Sequence, residues 1–551
     1  AHLEASILRP AGYRIRRIAP WARVSALTLA AILVFWLFDA LPFQDLPAHA
    51  GLIALRHRFG SSPFEQRYFV LAPHLGPYSL FRFLGDVLVV PLGPLGAIRA
   101  IATLPMIATP AALLWARHRL HGDLSTTAAY FGLALGFGFM TLLGFASYLL
   151  GVAALIVTLT VWLELMVAAD AGSEDAVKWE VAVACLTPCV FLAHGHAFVI
   201  FLGLAGVSAV ATGRRARRLL RLRALVPGLA LAAWVAWRER ASVVPAGSVA
   251  LSHPAFAPHF QGVYDKLSLL ITPTLITRTG LDAAIGLFVW AVIVAGVVTT
   301  ARSLRATSRL VETVDADDEP RRAGADLASR AHSKALLASI AVLGGAFLTL
   351  PHSIGWFGFV DGRLVPLLLL IGLMAIRRPA LGSVLGAAFD KGAPVAACGM
   401  VAIALGASQL FQSEAAGWHD VIDAVPANAR LLNLPLDPNS RIFTAHPFVH
   451  YDKLVLTDRP AVVSDVWFHQ GSAIYPTADN PALRLPGSYS ESDLRFIDWP
   501  AYRLDDWDYV LIRTQPSASE PFVPRGLALA IHRGGWWLYR NVTLAPPQAS
   551  P

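Results

Sequence analysis

WARVSALTLAAILVFWLFDALPFQDLPAHAG, residues 21–51, carries an apolar run that ends in an aspartate, Asp45, and a histidine, His49. Roughly 17 to 25 apolar residues are needed to cross a hydrocarbon core of about 30 Å. The run 21–41 meets that length, so Asp45 and His49 fall just where the chain leaves the bilayer. The same kind of run recurs down the sequence. The spans expected are 21–41, 97–116, 125–143, 148–169, 176–193, 196–212, 219–237, 281–300, 335–350, 363–376 and 392–410. The segment 76–92 is broken by Arg82, Gly85 and Asp86 and closed by Pro91; it reads as a juxtamembrane or re-entrant helix.

Composition agrees with this reading. The chain is 55% hydrophobic and only 15% charged, and its mean hydropathy is +0.54, which excludes a soluble domain. The expected fold class is a polytopic α-helical membrane protein with about 11 transmembrane helices. Lysine and arginine collect on the cytoplasmic side of short loops. With residue 1 inside, the inner segments hold 24 of them, and the outer segments before residue 411, together with Arg99 and Arg363 near a membrane edge, hold 10. This orientation keeps 76–92 from counting as a full span. GRRARRLLRLR (213–223) and ARSLRATSRL (301–310) lead the bias. The net charge of +8 is therefore topological, dispersed over loops facing an anionic leaflet, and implies membrane-lipid partners and no nucleic acid.

Two segments are long enough to fold outside the bilayer. One is the first external loop, 42–96. The other, 412–551, follows the multi-span module 1–411 and reads as a mixed α/β extracytoplasmic domain. Within it ARLLNLPL, YDKLVL, DWDYVLIRT and LALAIHRGGWWLYRN read as strands, the last as a hairpin about Gly534 and Gly535. The polar stretch 305–333 reads as a flexible cytoplasmic linker. The N-terminal run reads as a retained signal anchor. Cys185, Cys189 and Cys398 are too few for a disulfide scaffold and read as buried packing residues.

Polar residues gather at one membrane edge. Asp45 and His49 follow the first span. Ser147 and Tyr148 lie in GFASYLLG, His194 and His196 in FLAHGHAF, and His352, Asp361 and Arg363 in LPHSIGWFGFVDGRLVP. Ionisable groups near hydrocarbon are costly unless paired or used, so a cluster drawn from four turns reads as a site. Each member also has a structural reading. Asp45 suits a helix N-cap ahead of the amphipathic-looking AHAGLIALRHRF; His49 suits an interfacial histidine, Arg363 an interfacial anchor or a partner of Asp361, and Tyr148 an aromatic belt. His446 and His450 in HPFVHYD have i, i+4 spacing, but Pro447 spoils the helix that metal binding by the pair would need. A carboxylate at such an edge can act as general base toward a hydroxyl, and histidines and arginine can neutralise a departing phosphate.

The order of span, external loop with QDLPAH, amphipathic segment, GPYSLFRFLGD and GAIRAIATLPMIATPAALLWARHRLHG resembles the GT-C superfamily of integral membrane glycosyltransferases. The likeness is strongest to the bacterial enzymes related to protein mannosyltransferases and lipid A aminoarabinose transferases. It implies an acidic catalytic residue in the first external loop, which maps to Asp45, and a polyprenyl-phosphate sugar donor. It also implies extracytoplasmic transfer to a lipid, glycan or protein hydroxyl with inversion at the anomeric carbon. LPHSIGWFGFVDGRLVPLLLL is similar to the loop and span that line the donor site, making Arg363 a phosphate contact. Many relatives carry a second acidic residue beside the first; here the neighbour is Gln44, and no metal can be carried over. The expectation is a plasma-membrane glycosyltransferase with a cytoplasmic N-terminus and no required cofactor. Asp45 and His49 would be catalytic, and His194, His196, Arg363 and His352 would bind the donor phosphate. A secondary transporter, for which Glu164 inside a span is the one suggestive residue, and a non-catalytic lipid-binding or assembly protein are the alternatives.

Overall fold

The computed structural model describes residues 11–73, 75–211, 220–241, 245–249, 257–310, 320–355, 357–380, 382–467 and 473–545. Among them six helices are long and apolar enough to cross a membrane, and four further apolar helices are shorter. The chain is an integral membrane protein. The count of about 11 spans is not reproduced, and the differences have local causes.

The segment 76–92 and the expected span 97–116 form one helical run, Ser79–His121, broken at Gly93 where φ is +67° and ψ 174°. Only glycine adopts that conformation without strain, so the apolar segment turns there into the next helix. The expected span 125–143 divides into Thr127–Gly136 and Phe139–Leu142. At the division a Cβ on Gly138 would lie 1.9 Å from the Pro273 carbonyl oxygen, so the Pro273 backbone packs directly on the glycine where the helix divides. The span 363–376 is the short helix Leu364–Ala375, nearly all of it buried in protein. Its twelve residues reach only about 18 Å. Apolar all round, it resembles a span in sequence but packs as a core helix.

Helices Leu281–Leu310 and Pro320–Thr349 cover most of the stretch read as a linker; 311–319 lie outside the described residues. Asp326 accepts from both Arg330 and Arg377 and ties the second helix down. Helix Leu46–Arg58, expected to be interfacial, is buried from Leu46 to Leu55 apart from His49. All three cysteines are exposed, so the buried-packing reading fails for them.

Nine strands occur among the described residues: β1 Phe69–Leu71, β2 Pro258–His259, β3 Ser353–Ile354, β4 Ala429–Pro435, β5 Ala461–Val463, β6 Ile474–Pro476, β7 Tyr509–Arg513, β8 Leu527–Arg533 and β9 Trp536–Asn541. The C-terminal sheet has the order β5-β4-β7-β9-β8. β5 and β7 run parallel to β4, and β9 and β8 are added antiparallel. Alternation along its strands serves two cores. Leu431, Leu511 and Leu538 join the core shared with the helices, while Leu432, Val510, Ile512 and Tyr539 pack with Trp499 and Trp507 on the other face. Three of the expected strand segments are present. YDKLVL is not a strand: it lies in the 3-10 helix Pro447–Leu454 and the short helix Val455–Asp458. Pro447, near the start of that helix, is pre-set for a helical entry.

The first loop and the C-terminal region are built into one another. β1 pairs antiparallel with β6. A Cβ on Gly51 would lie 2.8 Å from the Lys453 carbonyl oxygen, so the glycine lets Leu46–Arg58 lie directly on Pro447–Leu454.

Candidate active site

Asp45 is positioned by backbone bonds to several elements. Arg99 donates to the Phe38 and Asp39 carbonyls at 2.9 and 3.1 Å. Gln412 exchanges two 3.0 Å bonds with the Ala40 backbone. The Tyr451 hydroxyl donates to the Leu41 carbonyl at 3.0 Å. The amides of Gln44 and Asp45 donate to the Leu142 and Leu143 carbonyls at 3.0 and 3.1 Å. Gln44 itself accepts from the His446 amide at 3.3 Å. Gly144, at φ +82°, permits this docking: a Cβ there would lie 3.0 Å from the Asp45 nitrogen. Each polar group of a chain leaving a membrane needs a partner, and here the partners fix the aspartate.

Asp45 stands at the start of helix Leu46–Arg58 but makes no side-chain cap. Its side chain, 12% exposed, points instead to His450, with Oδ1 3.5 Å from Nε2. The opposite ring nitrogen, Nδ1, is 3.3 Å from Glu491 Oε2. Lys453 donates to the same Glu491 oxygen at 3.2 Å and lies 3.4 Å from Asp452 and 3.7 Å from Asp465. Burial pushes the Asp45 carboxyl above its ordinary range, against the lowering effect of His450 and of Arg363. Burial alone would lower His450, but Glu491 and Asp45 outweigh it and raise the imidazole to about 9. Burial and the neighbouring Glu491 raise Asp465, whereas His450 and Lys453 hold Glu491 down despite its own burial.

His49 is half-buried beside this group. Its ring lies 4.6 Å from Phe81 and 5.0 Å from Trp467, and Trp467 also meets His450 at 5.1 Å. Thus the two residues taken from QDLPAH do converge, but on a wall supplied by the C-terminal region.

A cationic and aromatic pocket adjoins Asp45. Arg363, 6% exposed, packs its guanidinium over Phe357 at 4.1 Å, Phe145 at 4.7 Å and Tyr148 at 5.7 Å. Its Nε and Nη1 have no hydrogen-bond partner among the described residues. The Tyr148 hydroxyl donates to the Arg363 carbonyl. His194 lies between Tyr78 and Tyr148, at 5.1 and 5.4 Å, and 6.4 Å from His196. A Cβ on Gly151 would come within 2.8 Å of the His194 Cβ, so that glycine makes room for the histidine. Nδ1 of each histidine is buried without a partner. Tyr78 is held at φ +70°, a conformation costly for a bulky residue.

His352 and Asp361 form a separate brace. His352 Nδ1 is 2.9 Å from Asp361 Oδ1, and Lys266 is 3.3 Å from Oδ2. Asp361 thus answers Lys266 and His352. Of the residues expected from the sequence, Asp45, His49, His194, His196 and Arg363 are brought into one neighbourhood and His352 stands apart with Asp361; Glu491, Lys453 and Asp465 were not anticipated. His450 was set aside because Pro447 excludes an α-helix; the 3-10 turn that forms instead delivers His450 to Asp45.

No family model matches the chain, and no curated protein does. Among solved structures, arabinofuranosyltransferase AftD from Mycobacteria is similar, with 15% identity and a TM-score of 0.47, over 94% of this chain and 40% of that one. ArnT from Cupriavidus metallidurans bound to undecaprenyl phosphate gives 13% identity and a TM-score of 0.49, over 98% of this chain and 100% of that one. The chain therefore spans well under half the length of the AftD chain that it matches.

Proposed function

We propose that the protein is an inverting glycosyltransferase. It would move a sugar from a polyprenyl-phosphate donor to a hydroxyl acceptor at the extracytoplasmic membrane face. One observation supports this reading above the rest. A buried carboxylate, Asp45, packs on Gly144, and the next residue, Phe145, lies under the guanidinium of buried Arg363 at 4.7 Å. Unpartnered histidine nitrogens line the arginine's side. Displacement at an anomeric carbon needs that polarity, a base on one side and a sink for negative charge on the other.

In this reading the acceptor O–H is presented to Asp45. As its oxygen bonds to the anomeric carbon, the proton passes to the carboxylate and the carbon–oxygen bond to phosphate breaks. The electron pair stays on the phosphate, where Arg363, His194 and His196 hold it. Backside attack inverts the anomeric centre. His49 and Trp467 flank the acceptor, while His352, held by Asp361 through Nδ1, stands apart in the brace with Lys266. The aromatic residues around Arg363 keep water from screening its charge. Transport has less support: Glu164, the intramembrane residue that suggested it, pairs with Arg119 at 3.4 Å.

The test is sugar transfer from a panel of radiolabelled polyprenyl-phosphate sugars, with Arg363→Gln beside wild type. Labelled product with wild type and a loss of about 10- to 100-fold with the variant is expected. Flux of sugar into sealed vesicles without a covalent product would overturn the reading.

A further inference from the structure

His450, Asp465 and Glu491 come from three separate segments of the C-terminal region. One ligand atom of each lies within 4.8 Å of the others. Two atoms bound to a tetrahedral ion at about 2.1 Å stand about 3.4 Å apart, and the His450 Nδ1 to Glu491 Oε2 separation is 3.3 Å. We propose that these three side chains hold a divalent transition-metal cation, of the Zn²⁺ or Mn²⁺ class, beside Asp45.

An acidic cluster alone would not carry this, but two further features point the same way. His450 is 2% exposed, and its Nδ1 has no hydrogen-bond partner. Its other nitrogen faces Asp45. A metal-bound imidazole characteristically gives its second N–H to a carboxylate, which fixes tautomer and ring orientation. Asp45–His450 has that arrangement. The second feature is Asp452, 1% exposed and with neither carboxylate oxygen hydrogen-bonded. One ammonium, Lys453, is within 3.7 Å of Asp452, Asp465 and Glu491, which measures how closely the three acids converge. With Asp45 they make four carboxylates facing one lysine and one histidine. A histidine that binds a metal through Nδ1 is neutral, so the ionised cluster carries three excess negative charges and a divalent cation offsets two of them. One imidazole with carboxylates suits Zn²⁺ or Mn²⁺ better than an all-oxygen calcium cage. Lys453 would remain as counter-ion to Asp452, outside the ligand set.

The inference does not depend on the reaction assigned to Asp45, so metal content and sugar transfer fail separately. Full-length protein in detergent is stripped with EDTA, then equilibrated with Zn²⁺ or Mn²⁺. Bound metal and the thermal midpoint are measured for wild type, Asp465→Asn and Asp465→His. The expected result is about one ion per chain in wild type and a midpoint that falls with EDTA and returns with the ion. Metal should be lost in Asp465→Asn and retained in Asp465→His, which restores a ligand. If wild type binds no ion, if its midpoint ignores EDTA, or if Asp465→Asn keeps its metal, the site is refuted. An Asp465→Asn variant that is more stable than wild type with or without EDTA would show that the acids share protons instead.

Discussion

Asp45 Oδ1 and His450 Nε2 lie 3.5 Å apart, joining the loop after the first helix, Ala11–Trp36, to the C-terminal region. The contact makes the C-terminal region part of the site at Asp45. His450→Gln should therefore lower turnover with little change in donor KM, because it acts on Asp45 and leaves Arg363 in place. An unchanged kcat would make His450 a packing residue.

Arg363 separates charge from shape. Arg363→Lys keeps one positive charge but loses the planar fork that spans phosphate oxygens and stacks on Phe357 and Phe145. Turnover should fall about 10-fold in the lysine variant, with a charge-assisted contact worth roughly 1.5–3 kcal/mol, and further in Arg363→Gln. Equal losses in both would assign the residue to geometry alone.

His194→Phe keeps an aromatic ring between Tyr78 and Tyr148 and removes both nitrogens. The thermal midpoint should stay near wild type while donor KM rises several-fold. A large drop in midpoint with unchanged KM would place His194 in the core.

Gly144→Ala tests the docking of Asp45. It forces a Cβ against the Asp45 backbone at a φ of +82°, and overpacking of this kind costs about 1–3 kcal/mol. A lower midpoint and lower turnover are expected together. The His352–Asp361–Lys266 brace should behave differently. Asp361→Asn leaves Lys266, 6% exposed, without its carboxylate and costs about 3–5 kcal/mol, with turnover per folded molecule largely kept. Thermal unfolding set beside single-turnover rates distinguishes the two cases.

These contrasts show what could be seen in the sequence. Apolar runs and the turn residues between them depend on local chemistry, so the membrane class and the gathering of Asp45, His194 and Arg363 were legible. Leu364–Ala375 is shorter than the span expected and nearly all buried in protein; composition does not say whether lipid or protein surrounds a helix. The break at Gly138 depends on Pro273, a residue distant in sequence. Glu491, Lys453 and Asp465 lie in segments with no periodic signal and acquire meaning only when β1 pairs with β6 and Pro447–Leu454 seats on Leu46–Arg58.

The most direct test of the central claim is transfer from polyprenyl-phosphate sugars by wild type and Asp45→Asn in parallel, with thermal midpoints confirming that both are folded. The amide fills the same space but cannot accept the acceptor's proton. Labelled product from wild type and a loss of at least about 100-fold in the variant, within the range of general base catalysis, is the result expected. Near-equal labelling by the two proteins would contradict the assignment of Asp45 as the base.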